Sequence, residues 1–352
     1  MQIKVIGRNG TASFRAKSNE TLLEAALRSG ADVPYACASG SCGMCKAQII
    51  SGEVTKLWQD APGYGAKRKT SEALLCQCAA KTSGKAGDVV LNLSGATAQI
   101  SAPATRPDRI PATILRSDLL GEGMLEIELE LDRPIRYVAG QFGLFYFPGI
   151  VGGRAFSFAA PSTAESRSIV LVVKRKPDGP ATTRLFAPDL IGSRVEMFGP
   201  LGLATFEPDR DGHLLCVVGG SGVSLGLAVM GAAVAADHFR TRRGTLIIGM
   251  RRAADLTSLA PFVEMAKASG GGLRVVVALS DNPGDLPPNW APAQIQVEPG
   301  FAHDVMRRVM GGEYTGHVAY VAGPPPMVQA VQRILVLEGK LPGQDIRCDT
   351  FY

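Results

Sequence analysis

The chain has 352 residues, long for one core, and domains of about 100 to 150 residues make three units the working expectation. Apolar residues make up 46% and charged residues 20%, the balance of packed domains, which excludes extensive disorder. The net charge is only +5, with no basic run interleaved with aromatics, so nucleic acid is excluded as the expected partner.

The opening residues lack a basic segment followed by an apolar one, and no apolar stretch reaches the roughly 18 residues of a spanning helix. No membrane association and a cytoplasmic location are therefore expected. Seven cysteines, an odd number in tight local clusters, read as metal ligation in a reducing compartment instead of disulfides.

In chain order, Ile3 to Ile6 and Thr11 to Arg15 predict two strands. Thr21 to Leu27 has the composition and apolar spacing of a helix that stops at Gly30. Ala47 to Ile50 predicts a further strand, and the first unit ends near Leu93. Residues 1–93 hold 12 Lys/Arg against 7 Asp/Glu, so the whole positive excess is N-terminal. Residues 94–107, rich in Ala, Ser, Thr and Pro, predict a linker.

Over residues 108–208, strand-like runs at Ala112 to Arg116, Leu125 to Leu131, Phe142 to Phe147 and Ile169 to Val173 predict a small antiparallel barrel. Over residues 209–352, apolar strands alternate with helices. Leu214 to Val218 is followed by Val223 to Ala236, Leu246 to Met250 by Pro261 to Ala268, then Leu273 to Leu279, and His317 to Ala322 by Met327 to Leu337. That alternation predicts a doubly wound parallel sheet.

The strongest motif is Cys37, Cys42 and Cys45 in a CxxxxCxxC spacing, with Cys76 further on. Small residues between the cysteines let backbone N–H groups approach a cluster's sulfurs. The spacing resembles that of plant-type [2Fe-2S] proteins; zinc, the alternative, more often pairs cysteines as two separated CxxC knuckles. Leu75-Cys76-Gln77-Cys78 offers two thiols, and in a strand these would point to opposite faces, so only one could ligate. Cys76 is preferred because Leu-x-Cys-Gln resembles the closing motif of this ferredoxin family. Cys78, Cys216 and Cys348 are expected to be ordinary small buried residues.

With that motif placed, the full chain resembles the ferredoxin–NADP reductase superfamily, in particular the reductase components of bacterial multicomponent oxygenases, and most of all those of soluble di-iron monooxygenases. The resemblance implies a β-grasp ferredoxin domain (residues 1–93), a six-stranded antiparallel FAD-binding barrel (108–208) and a doubly wound NAD-binding domain (209–352). Arg154-Ala155-Phe156-Ser157 resembles the family's RxYS box. There the Arg meets the FAD pyrophosphate, the aromatic ring packs on the flavin and the Ser reaches its N5 edge; Phe156 keeps the ring without the phenol. Gly179-Pro180-Ala181-Thr182 resembles the GxxS turn beneath the pyrophosphate, with Lys174 adding positive charge.

Gly219-Gly220-Ser221-Gly222 resembles the GGTG start of the nicotinamide loop, with Leu225 where the family usually has Pro. Ala322-Gly323-Pro324-Pro325-Pro326-Met327 matches CGPPPM except at its first residue. In relatives that Cys orients the rings for hydride transfer, so Ala322 implies an active enzyme with an altered contact. Phe351 or Tyr352 is expected to cover the flavin as a gate, or else to be ordinary packing. Arg251 and Arg252 suit a 2′-phosphate whereas Asp255 repels one, and the resemblance favours NADH over NADPH.

The implied activity is that of an NADH:acceptor oxidoreductase, passing electrons from NADH to FAD, to the [2Fe-2S] cluster, and on to a di-iron monooxygenase hydroxylase. A Rieske-type dioxygenase is the alternative partner. A non-enzymatic carrier with inactive flavin and nicotinamide domains is the alternative of a different class. Lys67-Arg68-Lys69 in the basic first domain implies docking on an acidic surface of the terminal oxygenase component.

Overall fold

The computed structural model describes residues 1–66, 69–81, 88–93, 105–160, 164–255, 258–281, 286, 290 and 292–349. Lys67, Arg68, Phe351, Tyr352 and most of the expected linker lie outside the described residues.

The first sheet is built from β1 (Gln2–Gly7), β2 (Gly10–Arg15), β3 (Lys46–Ser51), β5 (Glu72–Leu74) and β7 (Val89–Asn92) in the order β2-β1-β7-β3-β5. β1 and β7 run parallel and the other neighbours antiparallel. β4 (Val54–Lys56) and β6 (Cys78–Ala80) form a separate two-stranded ladder.

Helix α1 (Leu22–Arg28) starts where the sequence offers a capping box. Thr21 Oγ1 accepts from the Glu24 amide at 3.2 Å and Glu24 Oε2 accepts from the Thr21 amide at 2.7 Å. Leu22, Leu23, Ala25 and Ala26 share one apolar core with Ile3, Val5, Val89 and Leu91, the β-grasp arrangement. The strand in which Cys76 and Cys78 would have pointed to opposite faces is broken at Leu75–Gln77 by a single tight 3-10 turn between β5 and β6. A turn, not opposite strand faces, therefore separates the two thiols of this segment.

The second sheet contains β8 (Asp108–Gly121), β9 (Met124–Ile135), β10 (Phe142–Tyr146), β11 (Arg154–Ser157), β12 (Ser166–Lys174) and β13 (Arg194–Leu201). Its order is β11-β10-β13-β8-β9-β12, with every neighbour antiparallel. The ladder is open between β11 and β12, and one antiparallel bridge, Phe158 to Leu171, joins the two edges, curling the sheet toward a barrel. A short helix α2 (Pro180–Leu185) follows β12. One side of this sheet continues the ferredoxin core, because Phe142, Leu144, Phe198 and Leu201 pack into the cluster of buried residues that holds α1.

The third sheet is parallel throughout, in the order β17-β16-β15-β14-β18-β19. Its strands are β14 (His213–Gly219), β15 (Gly244–Met250), β16 (Leu273–Leu279), β17 (Ile295–Pro299), β18 (His317–Ala322) and β19 (Ile346–Asp349). Alternation along β14 sends Leu214, Cys216 and Val218 toward α3 (Val223–Ala235) and α4 (Ala260–Ala268). Leu215 and Val217 face α5 (Ala302–Met310) and α6 (Pro325–Leu337). The chain steps outward from β14 through β15, β16 and β17, then crosses back to β18 and β19 on the other side of β14, which makes the carboxyl end of β14 the switch point where such sheets bind ligands. Cys216 is buried as expected, whereas Cys348 on β19 is only half-buried.

Candidate cluster, flavin and nicotinamide sites

The cluster loop runs from Tyr35 to Cys45 between α1 and β3. Its packing demands glycine at Gly43, where φ is +76° and a Cβ would stand 2.7 Å from the Gly63 carbonyl oxygen. The Leu75 amide donates to the Cys45 carbonyl at 3.0 Å, which seats the Cys76 turn against the loop.

The four expected thiols fall into two pairs. Cys45 and Cys76 have their sulfurs 3.3 Å apart, and Cys37 and Cys42 share a hydrogen bond. The Cys42 thiol, joined by the N–H groups of Ser39, Cys42 and Ser41, pulls the Cys37 thiol down to about 5 in spite of burial. Hydrogen bonding to Cys76 likewise lowers Cys45. No three His, Cys, Asp or Glu side chains among the described residues surround a single metal ion. Two thiol pairs fit a cluster of two irons, each needing two protein sulfurs, better than one tetrahedral zinc. Cys78 turns away, its sulfur 3.6 Å from the Tyr64 hydroxyl.

β11 is the edge strand that carries Arg154, Phe156 and Ser157. Arg154 donates to the carbonyls of Val151, Gly152 and Gly153 at 3.2, 3.0 and 3.4 Å. It pairs with no carboxylate among the described residues, and burial alone pulls its guanidinium below the ordinary value. A half-buried cation without a counter-charge is suited to an anion such as a diphosphate. Phe156 is half-buried and meets Phe145 edge-to-face at 5.9 Å, while Ser157 is buried in the ladder opposite Phe142. Thr182 spends its hydroxyl locally, donating to the carbonyls of Gly179 at 3.0 Å and Lys176 at 3.2 Å.

At the carboxyl end of β14 lies a cavity of about 540 Å³, lined by Gly219, Gly220, Pro324 and Met327 together with Met124 and Lys174 of the second sheet. The glycine loop is a 3-10 turn, Gly220–Gly222, leading into α3. Gly222 abuts β18 so closely that a Cβ there would stand 2.4 Å from the Ala322 carbonyl oxygen. The two nicotinamide motifs are thus backbone neighbours.

Lys174, expected to add positive charge near the flavin pyrophosphate, lines this cavity, its Nζ 3.7 Å from Asp255 Oδ1. Asp255 is buried and accepts from the Arg251 and Arg252 amides at 2.9 and 3.2 Å, closing the turn after β15. The Arg251 and Arg252 side chains turn to Asp281 and Glu122 at 3.6 and 2.9 Å. Sequence reasoning missed Phe301 and His303, which also line the cavity and stack at 5.7 Å. The apolar spacing of Ala302, Val305 and Met306, which marks α5, was the signal available.

Residues 6–81 match the 2Fe-2S iron-sulfur cluster binding domain family, and residues 216–333 the oxidoreductase NAD-binding domain family. The ferredoxin–NAD(+) reductase component of the alkene monooxygenase system of Xanthobacter autotrophicus is 31% identical, covering 97% of this chain and 99% of that protein. The phenol 2-monooxygenase reductase component DmpP of a Pseudomonas species is 32% identical, covering 96% and 91%. Among solved structures, the ferredoxin reductase in carbazole 1,9a-dioxygenase superposes with a TM-score of 0.83 at 29% identity, covering 100% of this chain and 98% of that one.

Proposed function

This chain belongs to the reductase components of multicomponent oxygenases, and on that premise we propose that it serves a monooxygenase, receiving hydride from NADH and delivering single electrons to a di-iron hydroxylase. As an oxidoreductase of this family it uses a nicotinamide cofactor, FAD and a [2Fe-2S] cluster in series. Bound FAD takes up two electrons with a hydride and releases them singly, and the cluster carries one at a time, near about −400 mV in plant-type proteins.

The rest falls to the chain's own residues. Cys37, Cys42, Cys45 and Cys76 hold the cluster. Arg154 neutralises the FAD diphosphate, Phe156 supports the ring system and Ser157 meets the flavin edge. The Gly219–Gly222 loop and Gly323-Pro324 bring their backbones against the nicotinamide cofactor, with Ala322 lending it a small, non-reactive wall. NADH is the preferred donor because both arginines that could grip a 2′-phosphate already face carboxylates and Asp255 stands behind them. The observation that carries the reading is a single small cavity of about 170 Å³ lined by Ala38 and Cys76 on one side and by Gly152 and Gly153, just before Arg154, on the other. The cluster turn and the flavin loop face each other.

The monooxygenase reading is supported by the alkene and phenol monooxygenase reductases at 31% and 32% identity, and by Ala-Gly-Pro-Pro at 322–325, which resembles that group. The domain division at 93, 108 and 209, and a cytoplasmic location for a chain so rich in free thiols, belong to the same proposal. No helix among the described residues is long and apolar enough to cross a membrane.

Docking by the basic first domain on an acidic surface of the hydroxylase accounts for Lys67, Arg68 and Lys69. Its test is electron delivery to a purified di-iron hydroxylase and, in parallel, to a Rieske oxygenase, each at low and high salt. The proposal expects faster turnover with the hydroxylase, slowed by salt and by replacing the three residues with Ala. Faster turnover with the Rieske protein, or no response to salt, would overturn it.

A further inference from the structure

Glu24 has no solvent-exposed surface. Its duty in the capping box needs only one oxygen, which takes the Thr21 amide at 2.7 Å, and an exposed glutamate would cap α1 equally well. The remaining contacts leave the ferredoxin domain. Arg109 of β8 donates from Nε to Oε1 at 3.1 Å and from Nη2 to Oε2 at 3.2 Å. The Tyr146 hydroxyl of β10 donates to Oε1 at 3.0 Å. Arg109 also stacks 4.0 Å from the centre of the Tyr146 ring and reaches Glu196 of β13 at 3.1 Å.

Four donors fill the roughly four acceptor sites of the carboxylate. One buried charge of the ferredoxin helix therefore engages a polar cluster drawn from three neighbouring strands of the flavin sheet, β10, β13 and β8.

Burying a carboxylate is costly unless it is paired, and such pairs are better at fixing one arrangement than at adding stability. The apolar part of this interface, through Phe142 and Leu144, is non-directional. The two-pronged arginine contact supplies direction. Arg109 and Tyr146 also line the small cavity that Cys76 shares with Gly152 and Gly153, so the contact stands where the cluster turn meets the flavin loop.

We infer that Glu24, Arg109 and Tyr146 form a polar latch that docks the ferredoxin domain on the flavin domain in one orientation, making Glu24 a positioning residue for electron passage between them. The inference rests on the electron path proposed above. In that passage one electron leaves the reduced FAD and one enters the oxidised cluster, with no bond made or broken. Separation and orientation are therefore what the protein can control.

The test compares the loaded full-length chain with its Glu24→Gln and Arg109→Leu variants. Glutamine still completes a capping box, and Arg109→Leu leaves the cap untouched. In anaerobic stopped-flow with NADH, flavin bleaching keeps its rate while the following cluster reduction slows about tenfold or more, as misplacement of reacting partners does. Hydrogen exchange accelerates across the interface, in residues 18–24 and 142–146, and stays unchanged in β14 to β16. Unaltered cluster reduction and exchange in both variants would overturn the latch, as would an equal slowing of both kinetic phases. Flavin bleaching without any cluster reduction in the unsubstituted chain would instead fail the electron path itself.

Discussion

The sulfurs of Cys45 and Cys76 lie 3.3 Å apart although 31 positions separate the two residues. The 3-10 turn at Leu75–Gln77 presents Cys76 to the loop, and two residues later Cys78 is committed to Tyr64. The Cys78 sulfur has the Tyr64 hydroxyl as its partner at 3.6 Å, whereas that of Cys76 faces Cys45. Cys76→Ser is expected to lose the iron–sulfur absorbance and Cys78→Ser to keep it, checked by iron content and the visible spectrum. The opposite result would exchange the two roles.

Arg154 pairs with no carboxylate among the described residues, so its removal strands no buried counter-charge and exposes its share of flavin binding. A charge-assisted contact contributes about 1.5–3 kcal/mol, so Arg154→Met is expected to weaken FAD by roughly one to two orders of magnitude. Fluorescence titration of the stripped chain with FAD measures this. Unchanged affinity would remove Arg154 from the flavin site.

Gly222→Ala forces a methyl into a space that ends 2.4 Å away at a backbone carbonyl. Because that oxygen belongs to Ala322, both nicotinamide motifs must shift together. The expected result is a raised KM for NADH with intact flavin and cluster spectra, read by steady-state kinetics and absorbance. A variant with unaltered KM would separate this loop from cofactor binding.

Glu20 supplies a pH signature for the ferredoxin domain. Burial alone would raise its carboxyl, but hydrogen bonds from Arg28 and the Lys17 amide win and hold it below the ordinary 4.5. A depressed carboxylate contributes stability above its unfolded value that disappears as pH falls through the folded one. The Tm of the unsubstituted chain should exceed that of Glu20→Gln at neutral pH, and the gap should close as the pH drops below 4.5. A gap independent of pH would contradict the assignment.

What could be read in advance was what local chemistry encodes. The composition and apolar spacing of Thr21 to Leu27 announce α1, the apolar run from Leu214 to Val218 announces a buried parallel strand, and the cysteine spacing announces the cluster loop. β11 and β19 escaped because each is only four residues long, too short to show an alternation. Asp255 was legible as a carboxylate that would repel a 2′-phosphate, and it lines the cavity, but its closing of the turn after β15 through two backbone amides is something no side-chain pattern reveals. Glu24 was legible only as one residue of a helix, since its partner Arg109 stands 85 positions away on another domain.

The central claim is that electrons run from nicotinamide through flavin to the cluster within this one chain. An anaerobic visible titration with NADH, and separately with NADPH, tests it most directly. The account predicts flavin bleaching followed by loss of the iron–sulfur absorbance, complete despite Ala322 and faster with NADH. Both chromophores bound and neither responding would contradict it, and would point to a carrier whose nicotinamide site no longer works.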